Sequence, residues 1–162
     1  MVVEDAAGRI SGELARRHST ATVLLHHAVA EALGLGPSDH KCLDLLRERG
    51  AMTGSELAAA VGLTTGAVTG IVQRLERSGR IRREPHPEDG RKQVLRPVED
   101  GLADIRALFA DLGADVDRLL DGFDDHQLAA IAEYLTRATA FARERTALLR
   151  ARRATTPGGT GA

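Results

Sequence analysis

Along most of this chain apolar residues return every three or four positions, and glycines and prolines mark where the pattern stops. Val68, Ile71, Val72 and Leu75 follow the i, i+3, i+4, i+7 rule, which predicts a helix capped by Thr64 or Thr65. Just before it, Thr53 with Glu56 three residues later is a capping-box signature for a second, shorter helix. Gly62 ends that helix, at a position suited to a left-handed C-cap residue. Two helices joined by a short turn containing glycine outline a helix-turn-helix. After Gly79 the pattern changes. The segments around Ile81 and Val94-Leu95 read as short strands flanking a turn-rich tip with Pro87 and Asp89-Gly90. Ala51-Met52 is expected to add a small third strand beside them.

Longer helices flank this segment. Residues 4 to 33 read as one helix with Ile10, Leu14, Ala21, Leu24, Leu25, Ala28 and Val29 along a broad stripe, its start frayed at Gly8 and Gly12. Ser38 is expected to cap the next helix, from Asp39 to Arg49, whose core is Leu43, Leu45 and Leu46. Glu99 to Gly122 reads as a further helix, and Asp124 with Gln127 opens a last one, striped by Leu128, Ile131, Leu135, Ala138, Phe141, Leu148 and Leu149. The fold class expected is therefore mainly α: a winged helix-turn-helix over residues 37–98, between long N- and C-terminal helices (1–36 and 99–153). Residues 154–162, polar and glycine-rich, are expected to be a disordered tail. The terminal helices carry more apolar surface than so small a winged domain can cover, which predicts an obligate homodimer.

The face of the 65–77 helix that points away from its apolar stripe carries Thr65, Gly66, Thr69, Gly70, Gln73 and Arg77. Glycine inside a helix costs roughly 1 kcal/mol relative to alanine, so two of them one turn apart ask for a reason. Close approach to a DNA major groove supplies one. Packing against a neighbouring helix of the same protein is the alternative, stronger for Gly66 near the helix start than for Gly70. Charge sharpens the picture. The formal net charge is -1, yet residues 74–96 carry eight basic against four acidic side chains, and residues 99–125 two basic against nine acidic. A positive hairpin on a negative body orients that hairpin toward a polyanion, unless both runs are merely solvated faces.

In this order and spacing, Ser55-Glu56-Leu57-Ala58, Gly62-Leu63, Val68-Thr69, Arg74-Leu75-Glu76, Gly79, Arg83 and the wing Pro87-Glu88-Asp89-Gly90-Arg91 resemble the multiple antibiotic resistance regulator (MarR) family of transcription factors. The Asp-x-Arg at Asp89 and Arg91 is the most specific piece. The resemblance implies a dimeric regulator on a palindromic double-stranded operator with half-sites about one helical turn apart. It implies that Thr64, Thr65, Gly66, Thr69, Gly70 and Gln73 face the major groove, that Ser55, Arg74 and Arg77 meet phosphate, and that Arg91, steadied by Asp89, enters the minor groove with Lys92 and Arg83 in support. Many relatives carry arginine where Gly70 stands, so base readout there differs. They also have a Leu-Thr pair where this chain has Pro97-Val98, which leaves Glu99 or Asp100 to cap the following helix.

The same resemblance implies repression relieved by a small, often phenolic effector held between the dimer helices and the winged domain, where His26, His27 and His40 are the candidate polar lining. Ordinary satisfied histidines are the plainer reading of all three. Cys42 matches the redox-sensing branch in residue type but sits beside Leu43, so an inert buried thiol is expected. A lone cysteine excludes an intramolecular disulfide framework and fits a reducing cytoplasm. No apolar run suits export or a membrane span, the four aromatics at 109, 123, 134 and 141 are too few for a single-strand stacking platform, and no His or Cys spacing supports a metal. No phosphate loop or nucleophile elbow points to an enzyme, and no cofactor is expected. The contrasting functions are a winged helix that binds a protein partner and a redox sensor of the same fold.

Overall fold

The computed structural model describes residues 2–155. Its elements are α1 (Val2–Arg9), a π-helical turn (Ile10–Leu14), α2 (Ala15–Ala32), α3 (Pro37–Arg49), β1 (Met52–Thr53), α4 (Gly54–Val61), α5 (Thr65–Arg77), β2 (Ile81–Pro85), β3 (Gln93–Pro97), a 3-10 turn (Glu99–Leu102), α6 (Ala103–Arg118) and α7 (Asp125–Thr155). By contacts the chain divides into two units, Met1–Ala107 and Leu108–Ala162.

In the first unit, α3, α4 and α5 pack on one another, and the sheet closes over α5 and α3. The sheet is antiparallel with order β1-β3-β2. Met52 faces Leu95, and Ile81 through Pro85 pair with Pro97 back to Gln93. Leu43, Leu46, Leu57, Val68, Leu75, Ile81 and Ile105 are buried, so α5 sits in the core along the stripe its sequence predicts. Burying each such aliphatic side chain is worth about 1.5–3 kcal/mol, which anchors α5 against both α3 and the sheet.

Local chemistry sets the helix ends. Glu56 N–H donates to Thr53 Oγ1 (3.2 Å) and Thr53 N–H to Glu56 Oε2 (2.7 Å), completing the capping box. Gly62 takes the left-handed conformation at φ 74° and ψ 33°. Of the two threonines, Thr64 is the cap of α5, accepting from Ala67 N–H at 3.2 Å.

Several expectations need correction. Ser38 does not cap α3; the helix starts at Pro37 with Gly36 as N-cap and no side-chain cap, because Pro at the first position already lacks the N–H that needs satisfying. Gly8 and Gly12 do not interrupt the N-terminal helix, which runs from Val2 and absorbs Gly12 in the π-helical turn. Neither Glu99 nor Asp100 caps the helix after the wing. Val98 precedes a 3-10 turn with no side-chain cap, and α6 ends at Arg118 rather than Gly122. Asp124 and Gln127 do form the reciprocal cap of α7, at 2.8 and 2.9 Å. That helix continues through Ala154 and Thr155, two residues into the stretch expected as tail. The remainder, Thr156 to Ala162, lies outside the described residues.

In the first unit Leu24 and Leu25 are exposed, and in the second Val116, Leu119, Leu135, Phe141 and Leu149 are more than half exposed. Among the described residues no single helix is long and apolar enough to cross a membrane.

Candidate nucleic-acid interface

The site is built on α5, the start of α4, and the wing. Because Val68, Ile71, Val72 and Leu75 are buried, helical geometry turns Thr65, Gly66, Thr69, Gln73 and Arg77 outward, and all five are exposed. Thr69 Oγ1–H bonds back to the Thr65 carbonyl at 2.9 Å, while the Thr64 hydroxyl is occupied by its cap. A Cβ added to Gly66 would meet nothing within 4 Å, and one on Gly70 only Arg74 Nη1 at 3.5 Å. Among the described residues no helix packs against either glycine. Their smallness serves no packing among the described residues.

Arg74, expected near phosphate, has two of its guanidinium nitrogens engaged elsewhere: Nε and Nη2 donate to the Asp39 carboxylate at 2.8 and 2.6 Å. Asp39 is buried in the first turn of α3, and this bidentate bond supplies the countercharge a buried carboxylate requires. The same bond holds the Arg74 guanidinium above its ordinary pKa. Arg74 is thus a strut from α5 to α3, with Nη1 near Gly70.

The wing tip is organised by Asp89. Its Oδ1 accepts from the Arg91 backbone N–H (3.2 Å) and Arg91 Nε (3.3 Å), and Oδ2 lies 3.6 Å from Lys92 Nζ. The Arg91 side chain is nevertheless 93% exposed, tethered at its stem and open at its end. Arg83, on β2, donates to Glu76 of α5 at 3.1 Å, bracing wing against helix. Between α4, α5 and the wing, Ser55, Thr65 and Lys92 line a groove of about 490 Å³ that also takes in His86 and Gln93. Those last two were missed from the sequence; their positions flanking the wing turn were the available signal.

Behind this surface a second arrangement went unread in the sequence. Arg80, buried, donates from both Nη atoms to Asp104 (2.9 and 2.7 Å) and also to the carbonyls of Gly101 and Leu33, each at 3.3 Å. It fastens the start of the wing to the end of α2 and the start of α6. The Arg80 guanidinium holds the Asp104 carboxyl below its ordinary pKa.

His26, His27 and His40 come together, lining with Val23, Pro37 and Lys41 a pocket of about 220 Å³ between α2 and α3. The rings of His26 and His40 lie 5.8 Å apart, and His26 Nδ1 is buried with no hydrogen-bond partner among the described residues. Burial pushes His40 below its ordinary pKa, against the opposing pull of Asp44. Cys42 is fully buried, and burial with the nearby Asp39 charge pushes its thiol up to about 11. Such a thiol carries little thiolate at neutral pH. Among the described residues no three His, Cys, Asp or Glu side chains gather to hold a metal ion.

A helix-turn-helix whose exposed helix is polar and small, backed by a three-stranded wing with an arginine at its tip, defines a winged-helix regulator. The sequence profile of the MarR family matches residues 35–92. HTH-type transcriptional regulator YcgE of Bacillus subtilis (strain 168), itself uncharacterized, is 40% identical over 126 residues, covering 78% of this chain and 82% of that protein. HTH-type regulator MhqR of the same organism is 25% identical over 64% of this chain and 72% of its own length. The chain belongs to the MarR family: it is a transcriptional regulator and not an enzyme. Solved structures share the fold: a MarR family protein from Bacillus stearothermophilus (TM-score 0.66, 21% identity, covering 86% of this chain and 96% of that one) and apo MarR from E. coli (0.58, 22%, 78% and 94%).

Proposed function

We propose that this protein is a sequence-specific repressor that binds double-stranded DNA as a homodimer and is released by a small aromatic or phenolic effector. The observation that carries the DNA reading is the open space at Gly66 and Gly70 on the exposed face of α5, beside the Arg91-tipped wing. A polar helix face without bulk lets base edges approach the backbone. On this reading Gln73 bonds adenine bidentately, and the Thr65 and Thr69 methyls meet thymine. Ser55, Arg77 and Lys92 serve phosphate; Arg74 acts chiefly by holding α5 in place. The exposed leucines and phenylalanine of the terminal helices are the surface a second copy covers, and twofold symmetry then requires a palindromic operator. The effector reading rests on the histidine-lined pocket between α2 and α3, and it has a parallel in a fold relative: the DNA binding of Bordetella bronchiseptica BpsR is regulated by 6-hydroxynicotinic acid (TM-score 0.53, 21% identity, covering 79% of this chain and 91% of that one). The Cys42 burial argues against a peroxide-sensing route.

The test is selection of duplexes from a random pool by the purified protein, then fluorescence anisotropy on the best site across a salt series. Arg91→Ala is expected to weaken binding at every operator and reduce the salt slope by about 1. Unchanged affinity and slope would refute the wing assignment. Absence of any duplex binding at low salt would refute the whole reading in favour of a protein-binding winged helix.

A further inference from the structure

The face of the wing turned away from α5 carries a charge arrangement that the DNA reading does not use. Arg82 on β2 and Arg96 on β3 are directly paired across the antiparallel ladder, so two like charges share one face. Such a pair is unfavourable unless something neutralises it. One carboxylate answers both: Glu84 accepts from Arg82 Nε at 2.6 Å and from Arg96 Nε at 2.8 Å. The two guanidinium groups hold Glu84 below its ordinary pKa, and one positive charge is left over. Among the described residues no Nη of either arginine makes a hydrogen bond.

This pair forms one wall of a concavity of about 660 Å³, which Arg47 at the end of α3 and Arg106 in α6 also line. Its apolar surface comes from Pro97, Val98 and Leu102. The acids at its edge are Asp100 and Glu99, and Glu99 is already held by Arg106 at 3.0 Å. Four guanidinium groups therefore converge on a space of small-molecule size, set against the carboxylates of Glu84, Glu99 and Asp100.

We propose that this concavity binds a small organic anion bearing two or more carboxylate or phosphoryl groups. The paired Nη edges of Arg82 and Arg96 take one oxyanion in fork geometry, Arg47 and Arg106 the other, and the carbon skeleton lies on Pro97, Val98 and Leu102. The apolar floor favours an organic skeleton over free phosphate. The position, on the sheet face opposite α5, favours a small ligand over the DNA backbone. The site is separate from the histidine-lined pocket, so its fate does not depend on the aromatic effector reading.

The experiment uses the full-length protein at constant ionic strength, with citrate and fructose 1,6-bisphosphate as separate probes and acetate as a monoanion control. Binding is measured by calorimetry and by shifts of arginine Nε–H resonances. The expected result is saturable binding of at least one probe, one per chain, with little response to acetate; which probe binds distinguishes carboxylate from phosphoryl recognition. The doubly substituted Arg82→Gln/Arg96→Gln protein is expected to bind at least about tenfold more weakly while the salt slope of its duplex binding is unchanged. Should that protein fail to fold, the single exposed change Arg47→Gln carries the same expectation with a smaller loss. No saturable binding of either probe overturns the proposal, as does binding that neither variant alters. So does a loss of duplex affinity and salt slope in the double variant with no anion bound, which would make this face a phosphate contact instead.

Discussion

Replacing Gly101 with alanine tests whether the wing and the start of α6 are held together as the structure shows. An added Cβ would lie 2.1 Å from the Gly79 carbonyl oxygen, 2.8 Å from its carbon and 3.1 Å from Arg80 Cα. All three are backbone atoms, so no side chain can swing aside. A real Cβ does not come closer than 3.0 Å, so the two segments must part by about 1 Å. Parting them stretches the 3.3 Å bond from Arg80 to the Gly101 carbonyl past hydrogen-bonding range. Overpacking of this kind costs about 1–3 kcal/mol and a lost bond from a charged donor roughly 1.5 more, for a net loss of about 3 kcal/mol. Helix propensity alone gives the opposite sign, a gain of about 0.5–1 kcal/mol, so the direction of the change decides between the two. The assay is thermal unfolding followed by circular dichroism at one fixed protein concentration, so that self-association of the proposed kind does not shift the midpoint between variants. For a chain of this size the expected fall in Tm is roughly 10 °C. A variant that melts within about 2 °C of the parent, or above it, would refute the packing of Gly101 on Gly79.

At Gly66 the same substitution should act in reverse. Its Cβ meets nothing within 4 Å among the described residues, so Gly66→Ala is expected to raise stability by about 0.5–1 kcal/mol while lowering operator affinity, a split readable by melting and anisotropy on one preparation. Arg74→Ala leaves the buried Asp39 carboxylate without its bidentate partner; a lower midpoint in urea unfolding is expected, tempered by the half-exposure of the arginine, and Asp39→Asn in the same chain should recover part of it. Asp104 contributes to the acid response, beside Glu56 and Glu84, which are also held below their ordinary pKa. Its folded pKa lies below the ordinary 3.8, so its contribution is present above that value and is lost as pH falls through the folded pKa. Melting curves below about pH 4 should therefore decline less steeply for Asp104→Asn than for the parent.

What the linear order of residues decided is what depends on neighbours within one helical turn. The Thr53–Glu56 box, the Gly62 cap, the Asp124–Gln127 cap and the buried stripe of α5 are interactions between positions one, three or four apart, and the Asp89–Arg91 tether spans two. The outward face of α5 follows from that stripe, which is why Thr65, Gly66, Thr69 and Gln73 could be named beforehand. Ser38 is not the cap because Pro37 starts α3 without needing a side-chain partner, a competition between two local signals. The tertiary structure alone decided the rest. Asp39 meets Arg74 across 35 positions, and Arg80 meets Leu33 and Asp104 across 47 and 24. No periodicity carries such pairs, since they arise only after the helices pack and a buried charge must find its partner. The convergence of arginines behind the wing has the same origin: Arg82 and Arg96 become neighbours through the register of β2 on β3, and Arg47 and Arg106 arrive from helices that share no local pattern with either.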